Sequence, residues 1–141
     1  MKIFILIGFF NIFCLGNSKP DIIIKKITVY NYFEKQGFTS HSAYSKFSEL
    51  ETAKTPSTLL NNNQTNIFQT IIDRSKEKKI FPGKTGNLIL FAKIEDYNGK
   101  IHKVLIIKNV IRNFTNKKDY WIKNNDDITW LHDFISKLNS H

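Results

Sequence analysis

A β-hairpin signal in the second half of the chain is the feature that most restricts the fold. Tyr97-Asn98-Gly99-Lys100 lies between two segments rich in apolar residues, 88–96 and 101–110. Asn-Gly supplies the two positive-φ residues of a type I′ turn, whose twist matches that of the flanking strands. The sequence therefore predicts an antiparallel strand pair joined by a two-residue loop.

This loop length also predicts a register, since pairing counts outward from the turn. It places Glu95 opposite His102. One face is then core and carries Leu88, Leu90, Ala92, Ile94, Leu105 and Ile107. The other face is mixed and carries Lys93, Glu95, His102 and Lys108 beside Ile89, Phe91, Val104 and Ile106. We expect a further element or a binding partner to lie on this mixed face, with Tyr97 at its end.

The remaining segments predict an α+β domain. Residues 21–33 are rich in β-branched and aromatic side chains and predict a strand, whereas 37–54 lack a clean period and predict a loop. Apolar spacing predicts helices over 65–79 and 126–138, the second capped by Asn125. Residues 111–114 extend the second hairpin strand, and 118–123 form a short strand. We expect a small antiparallel sheet with both helices packed on one face.

The first sixteen residues have the pattern of a secretory signal. Lys2 precedes the apolar stretch 3–13, which is shorter than the roughly 20 residues that span a bilayer and fits a signal-peptide core. Cleavage after Gly16 places small residues, Cys14 and Gly16, at the two positions that prefer them. We expect an exported protein, periplasmic or secreted, whose residues 17–141 form one domain without a transmembrane span. Two alternatives are a lipoprotein acylated at Cys14 and an uncleaved core segment.

Cysteine usage limits the chemistry of the exported chain. Cys14 is the single cysteine of the sequence, so residues 17–141 have neither a disulfide nor a thiolate. The four histidines show no metal-ligand spacing, and the Gly83-Lys84-Thr85-Gly86 stretch lacks the earlier glycine and the following helix of a phosphate-binding loop. The sequence therefore predicts neither a cofactor nor a metal site.

The net charge of +9 raises the question of a nucleic-acid partner. Lysines cluster near aromatic residues in 84–123, which is compatible with base stacking. Arginine, however, occurs only at Arg74 and Arg112, although its planar fork suits phosphate better than the lysine ammonium. Together with the export signal and the lack of a nucleic-acid-binding motif, this makes nucleic acid an unfavoured partner. An anionic surface is a better match for an exported lysine-rich chain.

These observations favour a small exported binding protein without catalytic activity, such as an inhibitor, an immunity-type protein or an envelope accessory protein. Its partner is expected to be another protein. The predicted binding residues are Lys93, Glu95, Tyr97, His102 and Lys108 on the mixed hairpin face. The alternative is a small secreted hydrolase whose site is assembled from distant residues such as His41, Glu95 and His102.

Overall fold

An antiparallel sheet of seven strands organises the part of the chain that the structure describes, which comprises residues 22–34, 40–79, 89–107 and 109–140 of a computed structural model. The elements in chain order are β1 (Ile24–Glu34), α1 (Ser40–Thr52), β2 (Ser57–Leu59), α2 (Asn62–Arg74), β3 (Lys76–Lys79), β4 (Ile89–Asp96), β5 (Ile101–Ile107), β6 (Val110–Asn113), β7 (Lys118–Trp121) and α3 (Asn125–Asn139). The strand order is β2-β1-β4-β5-β6-β7-β3. The predicted α+β class is thus confirmed.

The main core lies on one face of this sheet, called here the first face. Leu90, Ala92 and Ile94 of β4 and Val104 and Ile106 of β5 are buried there. Helices α2 and α3 cover them with an apolar stripe each: Phe68, Ile71 and Ile72 from α2, and Leu131, Phe134 and Ile135 from α3. Burial of such stripes is what stabilises helices of this length, since short isolated helices are marginal in water.

The opposite, second face carries a separate apolar cluster that the sequence reading did not assign to a helix. Helix α1 places Ala43, Phe47 and Leu50 against Phe91 and Leu105 of the hairpin. The rings of Phe47 and Phe91 meet edge to face with centroids 4.9 Å apart. The prediction of a loop over 37–54 is therefore wrong. The two predicted helices do lie on one face, and α1 is a third helix on the opposite face. The spacing of residues 43, 47 and 50 is helical, but frequent Ser and Thr obscured it.

The predicted helix over 65–79 is shifted and shortened. Asn61 and Gln64 form a reciprocal capping box, so α2 begins at Asn62 and ends at Arg74. The charged residues Lys76–Lys79 then form an edge strand paired with β7. Pairing with a neighbouring strand here overrides the helix preference of Lys and Glu. In α3 the N-cap is Asn124, one residue before the predicted Asn125.

The predicted hairpin register is wrong by one residue. Asp96 and Lys100 close a three-residue loop in which Gly99 has a φ of 80°, and Asn98 is not among the residues with positive φ. This is the geometry of a type I turn followed by a left-handed glycine. Ile94 consequently lies opposite His102 and Glu95 opposite Ile101. The shift moves the side chains of β5 to the other face, so Val104 and Ile106 are in the main core, and Leu105 and Ile107 are on the second face.

The second hairpin strand is also shorter than predicted. The chain reverses after Ile107, and Val110 pairs with it as the first residue of β6. Residues 111–114 therefore return along β5 and do not extend it. Among the described residues, no helix has the length and apolar run needed to cross a membrane. The predicted signal segment 1–16 with Cys14, as well as Leu88 and Lys108, lies outside the described residues.

Candidate functional site

The structure separates the predicted binding residues. Lys93 and Glu95 point to the second face near the hairpin turn, where Tyr97 is 70% exposed. His102 lies on the first face and is 3% exposed, so its placement on a solvated face is wrong. Lys108 is outside the described residues. Two of the five predicted residues, with Tyr97 nearby, therefore belong to one surface.

His102 belongs to a buried polar network under the hairpin turn. Its Nε2 lies 2.9 Å from Asp96 Oδ2, and its Nδ1 lies 3.1 Å from the Asn113 side-chain nitrogen. The Asn113 Oδ1 accepts the backbone N–H groups of Thr115 and Asn116, so its NH₂ group faces the imidazole and donates to Nδ1. Nε2 therefore carries the ring proton and donates it to Asp96. Both ring nitrogens are occupied in structural hydrogen bonds.

Asp96 connects this network to the turn itself. Its Oδ1 accepts the N–H groups of Asn98 and Lys100, which fixes the loop conformation. The hydrogen bond from His102, supported by these two backbone donors, lowers the pKa of Asp96 from its ordinary value. The sequence reading missed Asp96 and Asn113. An aspartate just before a turn was an available signal, since Asp side chains accept backbone hydrogen bonds within turns.

Two cross-strand rows of side chains on the second face extend beyond the cover of α1. One row is Lys26, Glu95 and Ile101, and the other is Thr28, Lys93 and Lys103. With Lys25 from the bulge of β1 and Glu51 from the last turn of α1, they form a surface that we call the lysine patch. It consists of Lys25, Lys26, Thr28, Glu51, Lys93, Glu95, Ile101 and Lys103. Four ammonium groups here face two carboxylates.

Each carboxylate of the lysine patch holds two lysines. The Glu95 oxygens lie 2.8 Å from Lys25 Nζ and 2.7 Å from Lys26 Nζ. These hydrogen bonds lower the pKa of Glu95, and the same contact raises the pKa of Lys25. Glu51 lies 3.2 Å from Lys103 Nζ and 3.8 Å from Lys93 Nζ. The four ammonium groups are thereby positioned while remaining accessible to solvent.

A depression of about 210 Å³ opens between the two lysine pairs. Lys26, Thr28, Lys93, Glu95 and Ile101 line it. Pockets for small-molecule ligands usually measure about 300–1,000 Å³. This one is the size of a protruding side chain, and it offers ammonium donors beside an aliphatic wall.

Apolar groups border the lysine patch at the hairpin end. Ile101 is 45% exposed within it, and Ile23 and Tyr97 are 53% and 70% exposed close by. The backbone N–H of Tyr97 donates to the Ile23 carbonyl over 3.1 Å, which joins the turn to the start of β1. The border thus combines aromatic and aliphatic surface with the adjoining positive charge.

A buried ion pair lies elsewhere on the second face. Arg112 of β6 donates from Nε and Nη2 to the two oxygens of Asp119 in β7, both over 2.8 Å. Asp119 is fully buried, and Arg112 nearly so. In the sequence, Arg112 was notable only as one of two arginines, and no pattern indicated its ion pair with Asp119. The bidentate contact identifies it as a structural residue that links β6 to β7.

The groups considered for hydrolysis are not assembled by the hairpin. Glu95 and His102 lie on opposite faces, because His102 pairs with the residue before Glu95. The side chain of His41, in α1, is outside the described part of the chain. In the described ranges, His, Asp and Glu side chains form no group of three or more that could hold a metal ion. Comparison with protein-family models, curated proteins and solved structures found no match to this chain.

Proposed function

We propose that this chain is a non-catalytic binding protein that engages another protein through the lysine patch. The observation that supports this best is the combination, at one end of the sheet, of four positioned lysines with exposed Ile101 and Tyr97. Protein interfaces commonly join a desolvated apolar centre to a polar, solvent-accessible rim. In keeping with the predicted export signal, the partner would be an exported or envelope protein. Inhibition, immunity or an accessory role would each require only binding.

Hydrolysis is the weaker alternative. A histidine that acts as a general base needs a free nitrogen within reach of the nucleophile. Both nitrogens of His102 are engaged with Asp96 and Asn113, and the imidazole is buried. Glu95 is occupied by two lysines on the other face. His102 is therefore better explained as a residue that stabilises the hairpin, and Glu95 as a residue that positions the lysines of the patch.

The proposal is tested by affinity capture from the exported fraction of the source cells, with purified wild-type protein and two charge-matched variants. The patch variant is Lys26→Glu with Lys93→Glu. The control is Lys76→Glu with Lys79→Glu, on the exposed edge strand β3. We expect a stoichiometric protein that the wild type and the control retain and that the patch variant loses. Equal capture by all three proteins would show that the interface lies elsewhere. Loss of capture in both variants would show that the interaction depends only on the net charge of the protein.

A further inference from the structure

We infer that the lysine patch recognises an acidic segment in which carboxylate and apolar side chains are interspersed, with one carboxylate seated between Lys26 and Lys93. This inference rests on the proposed function and names the chemistry of the partner. It follows from the dimensions of the depression, from the placement of its donors and from the two glutamates inside the patch.

The donors of the depression suit one carboxylate. Thr28 lies directly opposite Lys93 across β1 and β4, and Lys26 is the next residue on the same face of β1. Glu95 takes a single contact from Lys26, and Glu51 lies 3.8 Å from Lys93, so each ammonium keeps further N–H groups for an incoming oxygen. A volume of about 210 Å³ admits an Asp or Glu side chain and is below the usual size of pockets that enclose a small-molecule ligand.

The internal glutamates discriminate between kinds of anion. A nucleic acid or an anionic membrane presents closely spaced phosphates, several of which would lie near Glu51 and Glu95. Like charges at such distances are unfavourable, and several phosphates would multiply this cost. A segment with spaced carboxylates brings a single carboxylate near Glu95, whose charge is already balanced by Lys25 and Lys26, and it can place apolar side chains near Glu51. Both arginines, the residues best suited to phosphate, lie outside the patch, on α2 and in the buried pair with Asp119.

The apolar wall supplies the second half of the recognition. Ile101 lines the depression and is 45% exposed, so a partner side chain that covers it removes aliphatic surface from water. Tyr97 extends this surface past the turn. Tyrosine is among the residues that most often contribute binding energy at the centre of an interface. A purely electrostatic ligand would make no use of either residue.

The test uses fluorescence anisotropy with a labelled peptide of alternating Glu and Leu, at low ionic strength because exposed charges are strongly screened by salt. We expect Lys26→Ala and Lys93→Ala each to weaken binding by about three- to five-fold, the upper part of the range for one exposed ion pair. Ile101→Ser should weaken it by a similar factor without altering the charge. Lys76→Ala and Lys79→Ala, on β3, should change it by less than about two-fold.

Competition distinguishes the possible ligands. A heparin fragment, a single-stranded oligonucleotide and vesicles with anionic phospholipid should each displace the peptide less well than an unlabelled copy does. Tighter binding of any of these polyanions, an unchanged affinity in Ile101→Ser, or equal losses in the patch and β3 variants would overturn the inference. If the peptide fails to bind while capture of a protein still depends on Lys26 and Lys93, the proposed function stands and the acidic-segment inference is wrong.

Discussion

The carboxylate of Asp96 and the imidazole of His102 meet over 2.9 Å beneath the hairpin turn, and both side chains are almost completely buried. This contact joins the end of β4 to the start of β5. Through Asn113 it continues to the turn between β6 and β7. Two neighbouring turns are therefore held by one imidazole, whose loss leaves polar groups on both sides without partners.

Replacing His102 with Ala is expected to lower the free energy of unfolding by about 2–3 kcal/mol, because buried Asp96 and Asn113 groups lose their hydrogen bonds. Urea unfolding measures the change. The matched control is His132→Ala on α3, where the imidazole is exposed and lies 3.9 Å from a carboxylate oxygen of the exposed Asp133. A loss in His102→Ala no larger than that in the control would show that the network does not stabilise the fold.

Low pH should lower the free energy of unfolding, because the network under the hairpin turn depends on ionised Asp96. The pKa of Asp96 is lowered in the folded protein, mainly by the hydrogen bond from His102, so ionised Asp96 stabilises the fold. Its contribution is complete above the unfolded-state pKa of about 3.9 and is lost as the pH falls through the lower folded-state value. Urea unfolding across this range should show a steeper decline for the wild type than for Asp96→Asn. Asp133→Asn, at an exposed position, should follow the wild type.

The Arg112–Asp119 pair is expected to behave as a unit. Arg112→Met alone leaves the buried Asp119 carboxylate without its counter-ion and should cost about 3–5 kcal/mol of stability. Asp119→Leu alone should be comparably costly. The double variant should be far less destabilised than the sum of the two, since no lone charge is then buried. Additive losses in a double-mutant cycle would contradict this interpretation.

Gln69 of α2 takes the place of a strand neighbour at the start of β1. Its Oε1 accepts the Ile24 N–H over 2.7 Å, and its Nε2 donates to the Ile22 carbonyl over 3.0 Å, where β2 no longer covers the strand. Gln69→Leu should cost about 1–2 kcal/mol. Amide exchange at Ile24 should become faster, while Thr70→Ala, on the exposed side of α2, leaves it unchanged. Unaltered exchange in Gln69→Leu would show that the side chain is not what protects this edge.

The turn type can be tested by two alanine substitutions. Gly99→Ala should cost about 1 kcal/mol, because the φ of 80° is unfavourable for a residue with a Cβ even though the space around it is open. Asn98→Ala should cost less than about 0.5 kcal/mol, since its backbone is not in the positive-φ region. If the turn were of type I′, alanine would be destabilising at both positions, because both residues would have a positive φ. Thermal unfolding of the two variants distinguishes these outcomes.

Local sequence alone was sufficient for the α+β class and for the position of α3. In α3 the apolar residues repeat at helical spacing, and acidic residues occupy the first turn. The β4 pattern also placed Leu90, Ala92 and Ile94 together on the face of the main core, since side chains alternate between the faces of a strand. Lys93 and Glu95 were correctly placed together on one face for the same reason.

The partners of these elements were decided by tertiary structure. The capture of two backbone N–H groups by Asp96 selects a three-residue loop, and this one-residue difference moves His102 into the core and away from Glu95. Likewise, Lys76–Lys79 is a strand only because β7 offers it an edge. Glu51 joins Lys93 and Lys103 from a distant helix. Alternation and spacing are local properties of a sequence, whereas register, strand neighbours and ion pairs depend on segments that meet only after folding.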